Sequence, residues 1–209
     1  MARLPALIDA LTHADGRPRR AVDHVAREVR EAGLIQTTKR GRGAAEMTTL
    51  DAAYLILGLY GAANPADAAE AAEELAAYVN VARRKVPAPL RPIKTAPDLV
   101  HALAALIELA PLIAPATRDT DAMLEASIYQ PADAWPAGYT VHMTFTRPDR
   151  GPTMRLVYAD AEADGGINET YFIFHGAGLD RPIDTAIKTT VRINGDLFRA
   201  VHRALFETQ

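Results

Sequence analysis

The stretch Pro18-Arg19-Arg20-Ala21-Val22-Asp23-His24-Val25-Ala26-Arg27-Glu28-Val29-Arg30-Glu31-Ala32-Gly33-Leu34-Ile35 decides how the first quarter of the chain folds. At about 100° per residue, Val22, Val25 and Val29 fall on one side of a helix with Ala21, Ala26 and Ala32 around them. Arg20, His24, Arg27 and Glu31 fall on the opposite side. Pro18 suits the first turn, where its missing N–H would be unpaired anyway. Gly33 suits the stop, where a left-handed residue is wanted. The reading is an amphipathic helix over 18–32 with a charged outer side.

Working outward, Leu4, Leu7, Ile8 and Leu11 keep the spacing of one buried stripe and predict a short helix over 3–13. On the other side, Leu34-Ile35-Gln36-Thr37-Thr38, the tip Lys39-Arg40-Gly41-Arg42-Gly43 and the return Ala44-Ala45-Glu46-Met47 predict a hairpin over 34–47 with a basic tip. Thr48 with Asp51 three residues later is a variant of the capping box and opens a largely apolar helix over 48–61. Asn64-Pro65 opens another, over 65–84, ending in Arg83-Arg84-Lys85, which complements the helix dipole.

Four prolines between 86 and 97 predict a linker or extended strap and a boundary between an N-terminal part, 1–85, and a C-terminal part, 98–209. A helix over 97–110 is apolar nearly all round. Strands are then predicted over 124–129, 139–146, 153–159, 169–175 and 187–193, with a last helix over 196–207 covering the sheet. In 139–145 the odd positions are apolar or aromatic and the even ones polar, the pattern of a sheet with one covered face. The expected fold class is α+β: a winged-helix-like helical part with a small basic hairpin, then an antiparallel sheet covered by helices.

Composition bounds the function. The 209 residues include 49% hydrophobic and 23% charged side chains, ordinary for a folded chain. No cysteine is present, which removes disulfide frameworks, thiolate metal sites and cysteine nucleophiles together. No run of 18 apolar residues and no export signal is seen, so a cytoplasmic protein without membrane contact is expected. The net charge of −3 hides an asymmetry: residues 1–42 hold nine Lys/Arg against five acids, and the remainder holds 14 against 21. A basic head on an acidic body steers one end toward polyanions.

The order helix 3–13, helix 18–32, basic hairpin 34–47 resembles bacterial and prophage winged helix-turn-helix regulators. The stretch Arg19 to Ile35 is similar to their run of recognition helix, Glu-Ala-Gly-Leu-Ile and wing. The resemblance covers roughly the first fifty residues. It implies that the second helix lies in the major groove and the wing tip touches phosphate or the minor groove. The family's usual three-helix core would need another helix before residue 3. Either helix 48–61 fills that place or the fold is a truncated variant.

On these grounds Arg20, His24 and Arg27 are the candidates for reading bases, and Arg17, Arg19, Lys39, Arg40 and Arg42 for holding phosphate. The competing reading is a solvated helix laced by Asp23–Arg27 and Arg27–Glu31 pairs, with a charged turn after it. The function expected is a sequence-specific DNA-binding transcription regulator of bacterial, prophage or gene-transfer-agent type. Its partners would be double-stranded DNA, a second copy in a homodimer, and another protein through the C-terminal part. The alternative is a phage-type DNA-packaging or assembly component with a similar head.

An enzyme is not expected. Asp160-Ala161-Glu162-Ala163-Asp164-Gly165 is similar to the opening of an EF-hand loop but has Tyr171 where a bidentate Glu is required. The six histidines show no metal-ligand spacing, and no phosphate-cradling or nucleophile motif occurs. No catalytic residue, metal or cofactor is therefore assigned. A catalytic reading would need Asp160, Glu162, His142 and His175 to converge. His142 is expected on the surface of its strand, and Trp135 is a contact anchor or a core plug.

Overall fold

A computed structural model describes residues 3–36, 45–81, 86–115, 138–147, 150–159, 167–176 and 189–207. Helix α1 spans Leu4–Asp15 and helix α2 spans Arg19–Glu31. Gly16 at φ 74° takes the left-handed conformation that ends α1, and its N–H donates to the Thr12 carbonyl. After α2, Gly33 at φ 78° does the same work: its N–H donates to the Arg30 carbonyl and the next, from Leu34, to that of Val29. The buried residues of α2 are Val22, Val25, Ala26 and Val29, the apolar side read from the sequence.

Helix α3, Thr49–Gly61, is the centre of the helical part; Ala52, Ala53, Leu55, Ile56, Leu57, Leu59 and Tyr60 are all buried. A helix apolar all round has to be surrounded. Helix α2, helix α4 (Ala68–Ala76) and helix α6 (Leu99–Glu108) pack around it. Gly58 permits the close approach: a Cβ there would lie 2.8 Å from Val29 Cγ2 and 3.1 Å from the Ala68 carbonyl oxygen.

The expected long helix over 65–84 is not formed as one piece. A 3-10 turn, Pro65–Asp67, leads into α4, which ends at Ala76, and Val79–Asn80 is a short strand, β1. Tyr78, Val79 and Val81 favour extended backbone, and a sheet edge takes them: the Val81 N–H donates to the Ile173 carbonyl at 2.9 Å. The basic triplet 83–85 lies outside the described residues. The stretch 86–97, read as a linker, contains a 3-10 turn at Ala88–Leu90 and a short helix α5, Arg91–Thr95. Prolines in the first turns of both are compatible with helical backbone, and Leu90 and Ile93 anchor them in the core.

Strands β2 (Thr140–Arg147), β3 (Arg150–Ala159) and β4 (Ile167–His175) form an antiparallel meander. Strand β5, Thr189–Asn194, pairs with β2 on its other side, giving the order β1-β4-β3-β2-β5. The fold is therefore mixed helix and antiparallel sheet. The final helix α7, Gly195–Phe206, packs on β2, β5, α6 and α1. One hydrophobic cluster among the described residues includes Leu7 of α1, Ile56 of α3, Phe172 of β4 and Leu205 of α7. The strand expected over 124–129, Trp135 and the 160–165 loop lie outside the described residues.

The register puts Met143, Met154, Phe172 and Ile193 side by side on the apolar face. On the opposite face, Thr140 and His142 are also buried. The surface position expected for His142 is thus corrected: alternation identifies the apolar side of a strand but not whether the polar side is covered.

Candidate nucleic-acid interface

The site begins with the periodicity of α2. With Val22, Val25, Ala26 and Val29 turned into the core, Arg20, His24, Arg27 and Glu31 form an outer ridge, and Arg19, Asp23 and Arg30 lie on its flank. The side chains of His24 and Arg27 are 50% and 64% exposed, so the ridge is open to a partner. Arg20 and Arg30 are exposed as well.

Carboxylates thread the ridge. Arg27 Nε donates to Glu31 Oε1 at 2.8 Å, and His24 Nε2 lies 3.3 Å from Glu28 Oε1. Arg19 pairs with Asp9 of α1 and lies 3.5 Å from Asp23. The hydrogen bond and charge of Glu31 hold the Arg27 guanidinium above its ordinary pKa, so it stays cationic at any working pH. Arg20 and Arg30 have no ion-pair partner within 4.0 Å among the described residues. Of the two helical pairs expected from spacing, Arg27–Glu31 is present; Asp23 pairs with Arg19. Exposed pairs of this kind are weak and screened by salt, so a polyanion can exchange with the carboxylates.

Arg17 belongs to a different structure. Its Nε is 2.6 Å from Asp15 Oδ2, one terminal nitrogen donates to the Leu59 carbonyl at 2.8 Å, and the guanidinium lies 5.1 Å from the centre of the Tyr60 ring. Tyr60 is buried and donates its hydroxyl to Asp15 Oδ1 at 2.7 Å. Burial, together with that hydrogen bond and the Asp15 charge, pushes the phenol far above its ordinary pKa. Arg17 therefore fastens the α1–α2 corner to the end of α3. Its neighbour Asp15, two residues back, was the sequence signal for this inward pairing.

Lys39, Arg40 and Arg42 lie outside the described residues, as does most of the expected hairpin. Its described flanks, 34–36 and 45–47, carry no strand. The flanks are nonetheless held together. Asp51, only 4% exposed, accepts from the Gln36 backbone N–H through Oδ1 at 2.9 Å. Through Oδ2 it accepts from the Thr48 N–H at 2.8 Å and the Thr48 hydroxyl at 2.6 Å. Thr48 in turn accepts from the Asp51 N–H, completing the capping box. The spacing of Thr48 and Asp51 was legible in the sequence, whereas the long-range bond to Gln36 has no local signature.

No family model matches the chain, and neither does any curated protein or solved structure. The geometry of α2 and the loop roots is therefore what bears on function.

The other sites weighed from the sequence lie only in part within the described residues. His142 sits opposite Arg155, which sits opposite Tyr171, so β3 lies between His142 and the strand carrying His175 four residues further on. Asp160 and Glu162 lie outside the described residues. No group of three or more metal-ligating side chains occurs among the described residues. No helix among them is long and apolar enough to cross a membrane.

Proposed function

We propose that the protein is a DNA-binding transcription regulator that lays the outer ridge of α2 against double-stranded DNA. The observation that carries this reading is the ridge itself. Arg20, His24 and Arg27 stand in line on the exposed side of a helix whose other side is anchored in the core, with Arg30 on the flank. Arginine presents a forked set of donors that matches guanine edges and phosphates, and a carboxylate among them can accept from cytosine N4.

Phosphate contacts fall to Arg19 and to Lys39, Arg40 and Arg42, three cations within four residues after the helix, with no acid among them. Residues 3–36 hold six cations against five acids, so most of the positive excess of the head sits in that short segment. Arg17 takes no part, because its guanidinium is engaged at the α1–α2 corner. A homodimer on symmetric half-sites would double the few base contacts that one such helix makes.

The test is binding of the full chain to genomic DNA fragments across a salt series, beside the Lys39/Arg40/Arg42 triple alanine. Affinity should fall steeply with salt, and the slope of the triple variant should be smaller by up to about three, at roughly 0.9 per phosphate contact. A salt-independent signal, or none, would overturn the reading.

A further inference from the structure

We infer that the last turns of α7 form a self-association surface whose occupant is the same part of a second copy of this chain. Phe206 is 53% exposed, the most exposed large hydrophobic side chain among the described residues. Its ring is held in place. The His202 Nδ1–H donates to the Ile107 carbonyl of α6 at 3.0 Å, and the Phe206 ring leans on the His202 ring with centroids 4.7 Å apart. An apolar ring kept out of the core yet fixed on a neighbour loses little freedom when a partner covers it. Beside it Arg203 and Glu207 are exposed, and α7 meets α1 along a groove of about 610 Å³ floored by Ala6, Ala10, Ala200 and Ala204. Such small side chains leave room for another helix to come close.

The order of the charges selects the second copy. A two-fold axis level with Leu205 turns the end of α7 antiparallel to its copy, so that Arg203 meets the partner's Glu207 and Glu207 meets the partner's Arg203. The same half-turn brings Phe206 and the partner's Phe206 together on one flank of the helix pair and the two alanine-floored grooves to the other. One patch thus offers itself an apolar contact and two reciprocal ion pairs, which is what an isologous interface requires. A contact of this extent belongs with the small, weak interfaces, and holding two copies on one duplex would strengthen it. Asp9, on the α1 rim of the groove, pairs with Arg19 at the start of α2. The dimer therefore fixes the separation of two α2 ridges, as binding to symmetric half-sites demands. Only this last step rests on the proposed DNA reading.

The test is sedimentation equilibrium of the full chain over a concentration series reaching the submillimolar range, beside Phe206→Ser, Arg203→Glu and Glu207→Arg. The unaltered chain should pass from monomer to dimer. Each variant should raise the dissociation constant about tenfold or more, with thermal midpoints confirming that the fold is kept. Alone, Arg203→Glu and Glu207→Arg each set like charges across the axis. Mixed in equal amounts they set unlike charges, so the mixture should recover the dimer, which substitutions that merely loosen the fold would not do. Phe206→Ser keeps the measurement meaningful if either charge variant does not fold. A chain that stays monomeric throughout would overturn the inference, as would a dimer that all three variants leave intact or a mixture that fails to recover. Dimerisation without binding to genomic DNA fragments would support the interface and overturn the DNA reading alone. DNA binding by a chain that stays monomeric would do the reverse.

Discussion

Helix α2 and strand β2 carry the same kind of message in sequence, an apolar side and a polar side, and they end in different surroundings. On α2 the polar side faces solvent from Arg20 to Glu31. On β2 the apolar residues Val141, Met143 and Phe145 are buried, but so are Thr140 and His142 on the other face. The difference teaches that periodicity identifies which side enters the core, while exposure of the other side depends on what the rest of the chain lays over it. A helix at the rim of a bundle keeps its outer side; a strand inside a sheet can lose both.

That contrast can be strained by mutation, most severely where the two regions share one core. Phe172, 1% exposed and beside Met154 on the apolar face, should cost about 3–5 kcal/mol on truncation to alanine, read by denaturant unfolding. Gly58→Ala should cost about 1–3 kcal/mol, because the new methyl meets Val29 of α2 at 2.8 Å and a backbone oxygen of Ala68. A neutral result there would mean that α2 sits less tightly on α3 than these distances require.

The two histidines give the sharpest form of the comparison. His142→Ala, which empties a buried position on β2, should cost about 1–3 kcal/mol in the same assay. His24→Ala, on the open ridge of α2, should leave the unfolding midpoint in place while weakening DNA binding. Equal effects on stability would erase the distinction between the two polar sides.

A smaller effect is expected at alkaline pH. Burial, then the hydrogen bond to Glu74 and its charge, push the Tyr78 hydroxyl up to about 12. An ordinary phenol in the unfolded chain ionises near 10, so the unfolded state releases its proton first as pH rises. The stabilisation is complete below about pH 10 and is lost as pH climbs toward 12. Tyr78→Phe should flatten part of that decline in thermal midpoints between these values; an unaltered profile would assign the decline to other groups, Tyr60 foremost.

Much of this arrangement was legible in the residues. The start of α1 and the boundaries of α2 and α3 follow from the Leu4 to Leu11 stripe, from Pro18 and Gly33, and from the Thr48–Asp51 cap, all of them local signals, while α1 runs two residues past its expected end, to Asp15. The end of α4 at Ala76 was not legible, because Ala-rich helix and β-prone Tyr78-Val79 compete, and the edge of β4, nearly a hundred residues away, decides between them. Of the candidate site, the exposed side of α2 was readable from a helical wheel. Arg17 had only its neighbour Asp15 as a local signal; its contacts to Leu59 and Tyr60, like the bond from Gln36 to Asp51, join residues distant in sequence and depend on how α3 is packed.

The most direct measurement is photo-crosslinking to a DNA duplex from a reactive side chain placed at position 24 on the α2 ridge. The same probe at position 101, an exposed histidine on α6 whose ring nitrogen faces Asp98 at 2.6 Å, serves as the control. The account predicts salt-sensitive crosslinks from position 24 and none from position 101. Crosslinks from position 101 with none from position 24 would show that a different face of the molecule meets the nucleic acid and would contradict the role given to α2.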